Sequence, residues 1–123
     1  MAHILIIDDS QVEARMLRSM LEGVGHTVSH ATNGYEGIEI AKAETPDLIL
    51  MDVVMPLING FQATRELTRI PETQHIPIVV CSSKDSDTDF LWAKRQGAKG
   101  YLIKPIRAPE LIALVKRFIA EQG

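Results

Sequence analysis

Short apolar runs alternate with longer segments whose apolar residues recur at helical spacing. The runs are Ile4–Ile7, Leu48–Met51, Ile76–Cys81 and Tyr101–Ile103. Apolar runs of this length, bounded by turn residues, suit strands buried on both faces of a parallel sheet. His26–His30 alternates polar and apolar residues instead, which suits a half-exposed edge strand. Between the runs, Val12, Met16 and Met20 form one row at helical spacing, and Leu17, Leu21 and Val24 form the adjacent one. Ser10 with Glu13 reads as a capping box for this first helix. Asn33 with Glu36 repeats the start signal for a helix through about Ala43. Asn59 caps a third, from Gly60 to about Arg69. Asp85 or Ser86 opens a fourth, ending near Gln96 with Gly97 as terminator. Pro109 starts the last, with Leu111, Leu114, Val115, Phe118 and Ile119 on one face.

The order is βαβαβαβαβα, with no linker, repeat or low-complexity segment. Strands that alternate with helices in this way predict an open, doubly wound α/β domain with a parallel five-stranded sheet covered on both faces. The chain of 123 residues suits one such domain, 1–123, and is long enough to build a core without covalent staples. Its net charge of −3 argues against a general nucleic-acid surface. Cys81 is the single cysteine, so no internal disulfide is possible and a reducing compartment is expected. The apolar start is too short and too acidic for a signal peptide, and no stretch approaches a membrane span. A cytoplasmic protein with no membrane insertion is the expectation.

Open parallel sheets bind ligands beyond the carboxyl ends of their strands. Those positions hold Asp8 and Asp9 after the first strand, Asp52 after the third, Ser82 and Ser83 after the fourth, and Lys104-Pro105 after the fifth. Singly, each has an ordinary reading: a helix cap, a solvated turn residue, a loop hydroxyl, a surface lysine, a turn proline. Their joint occurrence at four successive strand ends argues for a built site. Three close carboxylates repel, and a hard dication with oxygen ligands, Mg²⁺, relieves the conflict. With metal and lysine present, the rim becomes a cradle for a phosphoryl group. Asp52 is then the oxygen nucleophile, Lys104 neutralises the equatorial oxygens and Ser82 donates a hydrogen bond to one of them. His3, His26, His30 and His75 have no metal-ligand spacing and read as surface or sheet-edge residues.

These residues resemble the receiver domain of two-component response regulators of the stand-alone CheY-like kind. The likeness runs from Ile4 to about Phe118 and rests on Asp8-Asp9, LILMDVVMPLING around Asp52, IPIVVCSS ending at Ser82 and Ser83, and GYLIKP with Lys104-Pro105. It implies a flavodoxin-like strand order 2-1-3-4-5 and phosphorylation of Asp52 by a histidine kinase of chemotaxis type. It further implies metal binding by Asp9, Asp52 and the Val54 carbonyl, with Asp8 assisting, and a cis bond before Pro105. Ser82 and Tyr101 become a switch pair that alters the face made by the fourth helix, fifth strand and fifth helix, where a downstream protein binds. No effector domain is expected, and the only chemistry expected is the chain's own phosphoryl acceptance and autodephosphorylation. Within the family, the segment from Gly60 to Ile78 and that from Lys84 to Lys104 are similar to the PilH type of regulator, which serves chemotaxis-like systems controlling type IV pili and twitching motility.

Some positions depart from the commonest family pattern. Asn59 stands where aspartate is frequent, Ser82 where threonine is usual and Ser83 where alanine is common. Val54 offers no polar group to orient an attacking water, so self-catalysed loss of the phosphoryl group is expected to be slower than with a polar side chain there. Trp92 reads as a residue packed between helices or as an interface anchor. Two rival classes fit poorly. A small-molecule phosphatase calls for Asp-x-Asp after the first strand and a substrate cap, and a nucleotide or flavin module calls for a Gly-rich loop where Asp8-Asp9-Ser10 stands.

Overall fold

The computed structural model describes residues 1–122. Five parallel strands, β1 (His3–Ile7), β2 (Thr27–Ala31), β3 (Leu48–Asp52), β4 (Ile78–Ser82) and β5 (Gly100–Ile103), form one sheet in the order β2-β1-β3-β4-β5. They alternate with α1 (Gln11–Glu22), α2 (Gly34–Glu44), α3 (Gly60–Arg69), α4 (Asp87–Arg95) and α5 (Ala108–Gln122). The order reverses between β1 and β3, so the crossover to β2 lays α1 on one face, those to β3 and β4 lay α2 and α3 on the other, and α5 returns to the face of α1. Ile4, Ile6, Leu48, Leu50, Val79 and Cys81 pack with Leu17 and Leu21 of α1 and Leu111 and Val115 of α5. The alternate residues Leu5, Ile7, Ile49, Met51 and Ile78 pack with Ile38 and Ala41 of α2 and Ala63 and Leu67 of α3. That twofold alternation explains why β1, β3 and β4 read as unbroken apolar runs: both of their faces are core.

Where helix starts were expected, caps are found. Asn59 accepts from Gln62 N and Gln62 returns the bond to Asn59 N, a complete capping box on α3. Ser86 and Asp89 do the same for α4, whose C-cap Gln96 precedes Gly97 with φ +107°. In α1 the structure corrects two expectations. Ser10 accepts from Glu13 N, but the Glu13 carboxylate does not return to Ser10; the Ser10 amide donates to Asp8 Oδ1 instead. Of the row Val12, Met16 and Met20, only Met20 packs against the core: Val12 and Met16 are exposed, Val24 is exposed as well, and the buried stripe is Ala14, Leu17 and Leu21. Periodicity identifies which residues share a face, but not how wide a stripe the sheet covers.

One glycine is required by close approach. A Cβ at Gly60 would collide with the Asp52 carbonyl oxygen, and Gly60 N donates to Val53 O at 2.8 Å. The first turn of α3 is thereby pressed against the end of β3, which holds Asp52 at the rim.

Candidate functional site

β1, β3, β4 and β5 run out at one edge of the sheet, and Asp8, Asp52, Ser82 and Lys104 meet there. Lys104 Nζ lies 2.9 Å from Asp52 Oδ1 and 3.6 Å from Asp8 Oδ2. Its nearest carboxylate comes from α1: Glu13 Oε2 is 2.5 Å away. Ligand oxygens of Asp8, Glu13 and Asp52 all lie within 4.8 Å of one another. A cleft of about 460 Å³ opens beside them, lined by Glu13, Asp52, Val53, Val54, Ser82, Ser83, Lys104 and Pro105.

Backbone contacts fix these side chains. The Asp8 amide donates to Ala31 O, and Asp8 O accepts from His30 Nε2 at 2.7 Å, which tethers the end of β1 to β2. Lys104 N donates to Ser82 O at 2.8 Å, setting the lysine against the end of β4. The Lys104-Pro105 peptide bond is cis. Ser82 is buried, and its Oγ accepts from Lys84 N. Tyr101 packs edge-on against Phe90, ring centroids 4.7 Å apart, and its hydroxyl donates to Lys84 O. One short loop therefore touches both Ser82 and Tyr101.

The electrostatics follow from crowding. Burial raises the Asp8 pKa to about 6; the Ser10 amide opposes this and the charge of Asp52 adds to it. Burial also raises Asp52, against the hydrogen bond and charge of Lys104. Burial disfavours the Lys104 charge, yet its bonds to Glu13 and Asp52 outweigh that and raise its pKa. The Lys104 hydrogen bond lowers Glu13. Three carboxylates thus face one ammonium, an excess of negative charge that a hard, oxygen-seeking dication fits.

Asp9 is exposed at the rim; its charge bears on Asp52, but its carboxylate stands outside the tight group of three. The Val54 side chain is 75% exposed and lines the cleft. Trp92 is half exposed and meets Phe61 edge-on at 6.5 Å, so it bridges α3 and α4 while keeping one side open. Sequence reasoning missed Glu13 as a partner of Lys104, and His30 as a support of Asp8. A signal for Glu13 existed. It sits four residues before Leu17, so it caps the buried row of α1 and points toward the strand ends.

Comparison with known proteins decides the family. The model of the response regulator receiver domain matches residues 4–116. The chain belongs to the response regulator receiver domain family. Such receiver domains accept phosphate from histidine kinases, act on downstream targets and typically bind Mg²⁺. This receiver domain is 49% identical over 120 residues to protein PilH of Pseudomonas aeruginosa, covering 98% of this chain and 99% of that protein. It is 35% identical over 109 residues to the chemotaxis protein CheY of Halobacterium salinarum, covering 89% of each. Among solved structures it is similar to the chemotaxis response regulator CheY4 of Vibrio cholerae, with TM-score 0.90, 29% identity, and coverage of 96% of this chain and 98% of that one. Among the described residues, no helix is long and apolar enough to cross a membrane.

Proposed function

We propose that this receiver domain, 1–123, is a phosphorylation switch that takes a phosphoryl group from a histidine kinase on Asp52. The observation that carries the reading is the Lys104 ammonium 2.9 Å from Asp52 Oδ1, beside Asp8 and on the wall of an open cleft. An Asp52 oxygen attacks phosphorus as the bond from phosphorus to the donor breaks, and the donor leaves with the electron pair. Lys104 balances charge on the equatorial oxygens, and the Ser82 hydroxyl donates to one of them. Asp9, Asp52 and the Val54 carbonyl, with Asp8 assisting, are the groups that would hold Mg²⁺, which supplies charge neutralisation when bound.

The loaded site draws Ser82 toward it. Lys84, bonded to Ser82 through its amide and to Tyr101 through its carbonyl, passes that movement to Tyr101 and the α4–β5–α5 face. A downstream protein reads that face in the cytoplasm. The likeness to PilH, together with its near-complete coverage, supports a place in a chemotaxis-like system governing type IV pilus motility.

Incubation with labelled acetyl phosphate and Mg²⁺ tests the acceptor role. Label is expected on wild-type protein, none on Asp52→Asn, and little when Mg²⁺ is chelated. Equal labelling of Asp52→Asn would refute it.

A further inference from the structure

Three carboxylates share Lys104, and they are not equivalent. Asp8 and Asp52 stand at strand ends, with side chains 2% and 10% exposed. Glu13 comes from the first turn of α1, and its side chain is 44% exposed. A buried residue in a sheet cannot withdraw without moving the sheet. A glutamate half in solvent can swing away by rotamer changes alone. Glu13 also lines the cleft that holds Asp52, Ser82 and Lys104. The ammonium that has to meet phosphoryl oxygens is therefore already engaged, from the cleft wall, by a charge-assisted bond.

Local geometry points the same way. Glu13 is positioned to close a capping box with Ser10, yet Asp8 accepts from the Ser10 amide and the Glu13 carboxylate reaches Lys104. A strong helix-start contact is given up for a contact across 91 residues of sequence.

We infer that Glu13 is a displaceable counter-ion that holds Lys104 in the resting state and must yield it before Asp52 can be loaded. The inference rests on the acceptor reading of Asp52. Glu13 is a positioning residue acting through Lys104; it does not touch phosphorus. A site whose lysine is released only part of the time binds its ligand more weakly in proportion. Glu13→Gln keeps length and polarity but loses the charge, so it frees Lys104. Glu13→Asp keeps the charge but falls a methylene short of the ammonium.

The test is a titration of Mg²⁺-saturated protein with beryllofluoride, followed by fluorine NMR. In Glu13→Gln the half-saturating concentration is expected to fall about threefold or more, and in Glu13→Asp about twofold or more. Half-saturation by Mg²⁺ is measured alongside without beryllofluoride, and the half-saturating concentration of acetyl phosphate falls in Glu13→Gln. Unchanged or weaker beryllofluoride binding in Glu13→Gln would overturn the inference. So would a loss of Mg²⁺ affinity, which would make Glu13 a cation ligand. A shift in Glu13→Gln with Glu13→Asp at wild type would replace the contact by long-range repulsion, and would overturn it too. Wild-type protein that binds beryllofluoride while Asp52→Asn does not, with Glu13→Gln unshifted, sinks only the counter-ion. Wild-type protein that binds none sinks the acceptor reading as well.

Discussion

Asp8 is 2% exposed, and its ionised form is penalised first by burial and further by the nearby charges of Asp52 and Glu13. Its folded pKa of about 6 lies above the ordinary 3.8, so between those values the native protein keeps a proton that the unfolded chain has released. The contribution of Asp8 to stability therefore falls as pH rises through that window, and its full cost is present above about 6. Metal-free Asp8→Asn is expected to be more stable than wild type at pH 7.5, by on the order of 1–3 kcal/mol, with the gain vanishing toward pH 4. Urea unfolding at the two pH values checks this; a less stable variant at pH 7.5 contradicts it. Mg²⁺ narrows the gap by stabilising wild type, about 2.7 kcal/mol at a hundred times its Kd. Val54 presents an apolar side chain to the cleft. Val54→Asn, able to orient a water, is expected to speed loss of the phosphoryl group several-fold, about 1 kcal/mol in barrier. A dephosphorylation rate that is unchanged or slower rules that out.

At the scale of single elements, the start of α3 joins helix stability to the site, because its first residue presses on the Asp52 carbonyl. Asn59→Ala removes one half of a complete capping box and is expected to cost about 1 kcal/mol, whereas Asn59→Asp stays near wild type. Thermal denaturation of the two variants decides it; equal losses would show that the cap is unimportant. The elements were legible in the sequence because burial leaves a period. β1, β3 and β4 are core on both faces and appear as runs, while α5 shows one clean stripe through Leu111, Val115 and Phe118. The α1 pattern is broader than its buried stripe, since Val12 and Met16 repeat at core spacing but lie beyond the strip that the sheet covers. β4 starts at Ile78 rather than Ile76, after a proline that cannot donate to a ladder. Leu57, left-handed at φ +75° in the loop after β3, carries no sequence signal for that conformation.

For the molecule as a whole, the rim was legible because strand ends in an open parallel sheet must converge on one edge. The topology alone brings Asp8, Asp52, Ser82 and Lys104 together. The Glu13–Lys104 pair was not legible in the same way. Glu13 has a sufficient local explanation as a capping residue, and only the tertiary fold offers it a stronger, charged partner. Hydrogen bonds run from this rim through Ser82 and Lys84 to Tyr101. The measurement that tests this link most directly is a pair of backbone-amide NMR spectra in Mg²⁺, with and without beryllofluoride, on wild type and Asp52→Asn. In wild type, shifts should extend from Asp52 and Ser82 through Lys84 and Tyr101 into α4 and α5, and Asp52→Asn should show none of them. Wild-type spectra that stay unchanged, or Asp52→Asn spectra that shift in the same way, would contradict a switch operated from Asp52.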